Sequence, residues 1–294
     1  MKKIKKLGAV AGLFKIRVSA FTALSSVTGL LLENGNGGNA GHSPSRLAGL
    51  AAGVLLLASG ASALNQFQEA GTDARMPRTR TRPIPSGLIR PAHALLLSLM
   101  LMQAGSIILF VFGGVMPAAL GGLAVLWYNL VYTPLKKITP FAVIPGALAG
   151  AIAPAIGWVY NGGSLSDPKA LIVCFFFYIW QIPHFWLFLL KYGEEYEKAG
   201  LPSITSVFSS RQLRRVIFVW DACTAASAML LFSLHAAGSP LTCSLAALAA
   251  AWITGSGAAV LGGNGKWHIF AWRSINACVL AITILLWAGT ILPA

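Results

Sequence analysis

Long apolar runs broken by short, polar and mostly basic stretches organise this chain. The runs fall at about residues 18 to 33, 47 to 64, 88 to 112, 116 to 133, 141 to 160, 169 to 190, 212 to 234, 240 to 261 and 270 to 292. A helix of about 20 apolar residues crosses a bilayer, and inside lipid only helices or closed barrels satisfy their own backbone groups. The pattern therefore predicts an all-α integral membrane protein of nine transmembrane helices, with residues 1–294 forming a single membrane-embedded domain. The first run is marginal in length.

Charge then orients the spans. With nine of them, twenty of the 22 Lys and Arg residues fall on one side, and only Arg46 and Lys169 fall on the other. Cytoplasmic loops carry the excess of basic residues, so the N-terminus is expected inside and the C-terminus outside. Residues 1–17 read as a basic cytoplasmic lead-in whose apolar piece is too interrupted for a signal-peptide core. Residues 65–90 and 191–211 read as cytoplasmic loops. Composition agrees with a lipid setting: 56% of residues are apolar and 10% charged, against roughly 25% charged in soluble domains, and mean hydropathy is +0.71. The net charge of +14 sits in short loops between apolar spans, which is a topology signal and gives no reason to invoke nucleic acid. Cys174, Cys223, Cys243 and Cys278 lie inside apolar runs without C-x-x-C spacing. They are expected as small buried residues, with no disulfide framework and no zinc site.

The loop at 65–90 concentrates charge in a chain that otherwise avoids it. Asn65, Glu69 and Asp73 are four apart, so on a helix each turns only about 40° from the last and the three share a face. Hard oxygen ligands of this kind suit Mg²⁺, which completes its shell with substrate phosphates. Arg75, Arg78, Arg80 and Arg82 follow, and guanidinium forks match phosphate geometry. A solvated loop with a positive-inside arginine cluster is the plainer reading of the same residues. The stretch 191–200 holds Glu194, Glu195 and Glu197. With Glu69 and Asp73 it gathers five of the eight acids at one membrane face, enough to seat metal ions around a diphosphate.

Other polar features converge on that face. Tyr132 and Lys136 are four apart at the end of the fourth run, with Lys137 beside them. They read equally as a phenol and an ammonium aimed together or as an interfacial belt with snorkelling lysines. Gly146, Gly150 and Gly157 permit close helix approach in the fifth run. Pro183 and His184 sit among aromatics in the sixth, where Pro183 is expected to kink the helix. His184 is then either a hydrogen-bonded packing residue or a group that takes part in ligand binding. Asp221 is an intramembrane acid of open role.

The run Asn65-x-x-x-Glu69-x-x-x-Asp73-x-x-Met76-x-Arg78-Thr79-x-x-Arg82-Pro83 resembles the first aspartate-rich motif of the UbiA-type intramembrane prenyltransferases. In its Met, Arg-Thr and Arg-Pro details it is similar to the protohaem IX farnesyltransferase (haem O synthase) branch. Four further blocks follow that branch in order: Tyr132-Thr133-x-Leu135-Lys136-Lys137-x-Thr139-Pro140, Gly150-Ala151-x-x-Pro154-x-x-Gly157-Trp158, Trp180-x-x-Pro183-His184-Phe185-Trp186, and Tyr196-x-x-Ala199-Gly200-x-Pro202. The resemblance spans about residues 15 to 290.

It implies a nine-helix bundle around a central cavity that opens to the cytoplasm, and Mg²⁺ held by Asn65, Glu69, Asp73 and the Glu194/Glu195 pair. It implies farnesyl diphosphate held by Arg78 and Arg82, with Lys136 neutralising the leaving group. Tyr132, Lys137 and Tyr196 are implied as further substrate contacts, and His184 as a contact to a haem B acceptor. It also implies a bacterial inner membrane location and a downstream haem A synthase as partner. The chain departs from the branch at several positions. Glu69, Glu194 and Glu195 stand where aspartates are usual, Ala142 where the usual residue is Asn, Ala153 where it is Pro, and Pro202-Ser203-Ile204-Thr205 where Pro-Met-Leu-Pro is usual. These departures keep two alternatives in view: prenyl transfer to an aromatic acid, quinone precursor or chlorin, and a non-catalytic transporter or haem-binding assembly factor.

The orientation is checked by enzymatic reporters fused in the loops. A reporter active only outside should work when joined near Lys169 and stay silent when joined near Lys137.

Overall fold

The structure is a computed structural model that describes residues 8, 10–33, 43–235, 240–263 and 265–291. All its described regular elements are helical, and each of the nine apolar runs has its helix. These are α1 (Ile16–Leu32), α2 (Pro44–Gln68), α3 (Pro91–Gly113), α4 (Val115–Leu135), α5 (Val143–Tyr160), α6 (Pro168–Lys198), α7 (Ser210–His235), α8 (Pro240–Leu261) and α9 (Gly265–Ile291). Eight are long and apolar enough to cross a membrane, while α1, at 17 residues, is shorter. Part of the lead-in 1–17 and most of the polar stretch between α1 and α2 lie outside the described residues. Prolines open α2, α3 and α6, where a missing N–H costs nothing because the first turn has no partner for it.

Two apolar cores meet along the middle of the bundle. One joins α1, α2, α3 and α5 through Leu30, Leu50, Leu57, Leu109 and Ile156. The other joins α5 to α9 through Phe176, Phe177, Ile182, Ile217, Ile253 and Ile282. Helix α1 packs against α2, α5 and α9, and α6 packs against α5, α7 and α9. Trp287 Nε1 of α9 donates to Thr28 Oγ1 of α1 at 2.9 Å. Leu96, Leu99, Met100, Ile107 and Phe110 on α3 are exposed, as a lipid-facing surface requires.

The glycine expectation holds in a specific form. The ring of Tyr132 lies over Gly146, the amide of Gln181 over Gly150, and the backbone carbonyl of Ser26 over Gly157. On the facing helix Gly29 meets the carbonyl of Pro154. Backbones of α1 and α5 are thus in direct contact, the small-residue packing that lipid-embedded helices use.

Two expectations need correction. The stretch 191–211 is not a loop throughout, because α6 runs on to Lys198. Residues 191–198 are mostly good helix formers, and Glu194 and Lys198 pair at i,i+4, so the helix outlasts the apolar run. The same helix passes through Pro183 without a break. Cys223 and Cys243 are exposed and Cys174 and Cys278 half-buried, all four free; an apolar residue in a membrane span can face lipid as readily as the core.

Replacing Gly157 by Ala should force α1 and α5 apart and cost about 1–3 kcal/mol. Thermal unfolding in detergent should show the lowered midpoint, and Gly122→Ala, where a side chain meets nothing, should leave it unchanged.

Candidate active site

Asn65, near the end of α2, is fully buried, and both ends of its amide are engaged. Nδ2 donates to Thr133 Oγ1 at 3.0 Å, and Oδ1 accepts from Lys15 Nζ at 3.0 Å. Thr133 comes within reach through a local irregularity of α4. Residues Trp127–Tyr132 form a π-helical turn just before Pro134, which lacks the N–H an α-helix needs there. The carbonyl of Tyr128 instead accepts both the backbone N–H of Thr133 and its hydroxyl, the latter at 2.8 Å.

Lys15 is positioned with equal definition. It caps α1 in the left-handed region, φ 44° and ψ 50°, a conformation that costs a residue with a side chain about 1–2 kcal/mol. Gln66, one residue beyond Asn65, donates from Nε2 to the carbonyls of Gly12 and Leu13, both at 2.8 Å. Those carbonyls end a helical turn, where backbone acceptors are left short of partners; apart from Gln66, the Gly12 carbonyl receives only the Lys15 N–H, at 3.4 Å. The same stretch of α2 therefore fixes the bend and receives the ammonium that the bend presents.

Glu69 caps the C-terminus of α2 and a short turn, Ala70–Asp73, follows. The i,i+4 spacing survives: the Glu69 N–H reaches the Asn65 carbonyl at 3.0 Å and the Asp73 N–H the Glu69 carbonyl at 2.8 Å. Lys136 Nζ lies 2.5 Å from Glu69 Oε1 and 4.9 Å from the Tyr132 ring centroid. Arg82 Nη1 donates to both Asp73 oxygens, at 2.8 and 2.7 Å. Asp73 is only 1% exposed. Each oxygen-bearing position of the first motif thus has its own cation: Lys15 for Asn65, Lys136 for Glu69, Arg82 for Asp73.

These charges tune one another. Burial alone would raise the Glu69 carboxyl, but Lys136, then Lys15 and Arg82, outweigh it and hold it below the usual range. Burial would lower Lys136, and Glu69 outweighs that in turn and raises it. Lys15 has less support. Burial, then the positive charges of Arg82 and Lys136, push it down to about 7 against the pull of Glu69 and Asp73.

The second motif reaches the same end of the bundle. Arg78 places its guanidinium 4.9 Å from the Phe188 ring centroid and 5.4 Å from that of Tyr192, both on α6. Arg75 Nη1 donates to the Ala199 carbonyl at 3.5 Å. Tyr196, also on α6, lies near Lys136. Glu195 Oε2 is enclosed and has no hydrogen-bond partner among the described residues. Glu194 does not join them: its side chain is 88% exposed and lies 3.6 Å from Lys198. Lys137 is also exposed. His184 lies away from the charged cluster, deeper in α6. An open groove of about 340 Å³, lined by Gly8, Gly12, Thr81, Arg82, Pro83 and Leu88, runs beside the first motif.

Among the described residues no three His, Cys, Asp or Glu side chains converge as a complete metal cage. Magnesium does not require one, since it is bound through one or two carboxylates and takes its remaining ligands from water and substrate phosphate. The amide oxygen of Asn65 and the carboxylates of Glu69 and Asp73 are donors of that kind, and Glu195 on the neighbouring segment has an oxygen without a partner.

An amide, carboxylates, lysines and arginines thus gather at one end of a helical membrane bundle, an arrangement whose chemistry suits a phosphorylated apolar molecule. A family model described as the UbiA prenyltransferase family matches residues 22–266, and the chain belongs to that family. It is 38% identical over 219 residues, 74% of this chain and 78% of the relative, to a protein named protoheme IX farnesyltransferase from Geobacter sulfurreducens. Solved structures share the fold at low identity. A digeranylgeranylglyceryl phosphate synthase superposes with TM-score 0.75 at 15% identity, covering 98% of this chain and 99% of that one. A UbiA homologue from Archaeoglobus fulgidus bound to GPP and Mg²⁺ gives 0.63 at 15% identity, covering 96% and 99%.

Arg82→Ala leaves Asp73 buried without its partner and should cost roughly 3 kcal/mol of stability. Adding Asp73→Asn should recover most of the loss. A double-mutant cycle read by thermal unfolding measures the coupling.

Proposed function

We propose that the chain is a protohaem IX farnesyltransferase, moving a farnesyl group from farnesyl diphosphate to a vinyl group of haem B to give haem O and diphosphate. The observation that carries the reading is the meeting of the two motif segments at one end of the bundle, through Arg75 to Ala199 and Arg78 to Phe188 and Tyr192. Acids on opposite ends, or out of reach of a common ligand, could not serve one diphosphate. The naming of relatives across three quarters of the chain supports the choice of prenyl donor and acceptor. In this reading the bundle surrounds a cavity open to the cytoplasm, with the N-terminus inside and the C-terminus outside, in a bacterial inner membrane. A haem A synthase would draw off the product.

The residues divide the work. Arg78, Arg82, Lys15 and Lys136 exchange their present partners for diphosphate oxygens, and Tyr132 and Tyr196 line the same end. Asn65, Glu69, Asp73 and Glu195 would hold Mg²⁺, whose Lewis acidity stabilises negative charge on the departing diphosphate. The allylic C–O bond breaks, and its electron pair leaves with the diphosphate. Lys136 then faces the oxygen on which charge develops, the placement that makes electrostatic stabilisation effective in a water-poor site. The vinyl π electrons attack the farnesyl cation. Water adds to the resulting porphyrin side-chain cation and loses a proton, giving the hydroxyethylfarnesyl group. The apolar helices keep water from the allylic cation until the new bond is made.

Purified protein supplied with haem B, farnesyl diphosphate and Mg²⁺ should form haem O, detected by mass, with diphosphate released in equal amount. Diphosphate released together with a prenylated aromatic acid, quinone precursor or chlorin, and no haem O, would move the assignment to that acceptor. Lys136→Ala should lower kcat about 10²–10³-fold, and Asp73→Asn with Arg78→Ala should abolish diphosphate release. A doubly substituted protein that still supports its cellular role would mark it as non-catalytic.

A further inference from the structure

The groove beside the first motif is built from two stretches that lie just before helix starts. Gly8 and Gly12 come from the lead-in to α1, and Thr81, Arg82, Pro83 and Leu88 from the stretch before α3. The two glycines are four apart in a helical turn, so they share a face, and that face carries no side chain. A Cβ at Gly8 would meet nothing within 4 Å, and one at Gly12 would only touch Pro83, at 3.8 Å. Close packing therefore demands glycine at neither position. What the two glycines leave open is the groove itself, about 340 Å³, a volume within the range of small-molecule sites.

Arg82 supplies the polar side of the groove, and only part of its guanidinium is spent. Both bonds to Asp73 leave from one nitrogen, Nη1, which lies on the same side of the group as its own Cδ. The opposite edge, formed by Nε and Nη2, is the side-on fork that takes two oxygens of a phosphate at once. Neither of these nitrogens has a hydrogen bond among the described residues, and neither is among the enclosed atoms that lack one. An unspent bidentate edge thus meets accessible space in a groove whose other walls include glycine backbone, proline and leucine. Leu88, on the rim, is 54% exposed, and the exposed apolar side of α3 starts at Leu96. Cations crowd the same stretches of chain. Lys2, Lys3, Lys5 and Lys6 precede Gly8 in the sequence, Arg80 adjoins Thr81, and Arg90 closely follows Leu88.

We propose that this groove holds the headgroup of an anionic phospholipid, with the phosphate on the free edge of Arg82 and the glycerol and first chain carbons against Pro83 and Leu88. Basic pockets at the membrane surface select anionic headgroups in this way. A free phosphate would find the same edge but gain nothing from the apolar rim. Bound lipid makes Arg82 a bridge, with Asp73 on one side of the guanidinium and the leaflet on the other. The closure over the first motif is then tied to the composition of the membrane, whichever acceptor the chain prenylates.

The test uses the full-length protein in vesicles of phosphatidylcholine, alone or mixed with phosphatidylglycerol, and in detergent with inorganic phosphate. Native mass spectrometry after extraction should find phosphatidylglycerol retained in preference to phosphatidylcholine, and phosphatidylglycerol should raise the thermal midpoint, as any ligand of the folded state does. Inorganic phosphate should leave the midpoint unchanged. Gly12→Leu, which fills the groove, should bind phosphatidylglycerol about tenfold more weakly, the worth of one hydrogen bond between charged groups, and should lose the rise in midpoint. At position 8, where a side chain has room, Gly8→Glu should weaken retention to the same degree, whereas Gly8→Gln, of the same size without the charge, should keep most of it. The midpoint in phosphatidylcholine alone checks that each variant has folded. If Gly12→Leu fails that check, the Glu against Gln comparison at position 8 decides. Wild-type protein with no preference for phosphatidylglycerol, a Gly12→Leu protein that keeps the preference, or a Gly8→Glu protein equal to Gly8→Gln overturns the proposal. Inorganic phosphate that stabilises as well as the lipid also overturns it, and makes the groove a site for free anions.

Discussion

Three cation–oxygen pairs at the C-terminal end of α2 set the terms for the rest of the bundle. Asp73, buried to 1% exposure, is gripped on both oxygens by the fork of Arg82, and Asn65 and Glu69 are held by Lys15 and Lys136. Taking a charge out of water is costly unless its partner comes with it. Two of the pairs join segments far apart in sequence, tying the entry to α1 and the end of α4 to the end of α2, and the third folds the arginine stretch back onto Asp73. Satisfying the charges therefore fixes where four segments end, and the apolar packing beneath only has to be compatible with that closure. Leu13, Ala63, Ile84 and Ala94 make a small separate core directly under it.

The sequence carried the spans and the spacing of the first motif because both are local periodicities, an apolar run and an i,i+4 repeat. It did not carry the partners. Lys15 is one of six basic residues before residue 18, and the positive-inside rule explains all six equally well; what separates it is a contact with a residue fifty positions away. Thr133 was equally hidden, since its role depends on a π-helical turn whose only sequence trace is the proline that follows. The second acidic group was legible in part. Glu194 and Glu195 are adjacent, and on a helix neighbours point about 100° apart, so only one of them can face inward. Ending the sixth span at residue 190 with the apolar run concealed that conclusion.

The two apolar cores differ in what they are asked to support. Around α1, α2 and α5 the helices meet backbone to backbone, Gly29 against Pro154 and Gly157 against Ser26, which leaves little freedom for the elements that carry Lys15 and Asn65. Around α6 and α9 the contacts are made by large rings, His184 with Trp180, Phe185 and Trp272. Rings pack over a wider range of separations than backbones do, and they can part around a flat guest without breaking backbone hydrogen bonds. A fixed polar half beside a more accommodating aromatic half suits a reaction in which one substrate is gripped by charge and the other is sheltered by shape.

The pairing of each first-motif position, Asn65, Glu69 and Asp73, with a cation bears on how such a site can load. An apolar bundle holding bare carboxylates would repel a diphosphate, and one holding bare lysines and arginines would bind any anion that reached the membrane surface. In the proposed reading, with the first-motif charges already matched, an incoming diphosphate would arrive with a divalent cation that takes over the carboxylates as the lysines and arginines turn to phosphate. Each exchange then replaces one charge-assisted contact by another of similar strength, so the desolvation cost is borne by the fold and not by the binding event. Selectivity for a metal–diphosphate pair over either component alone follows from that exchange. Lys15, pushed down to about 7 and so only part-charged near neutral pH, is the member of the set that an arriving anion would most readily draw fully into its charged form.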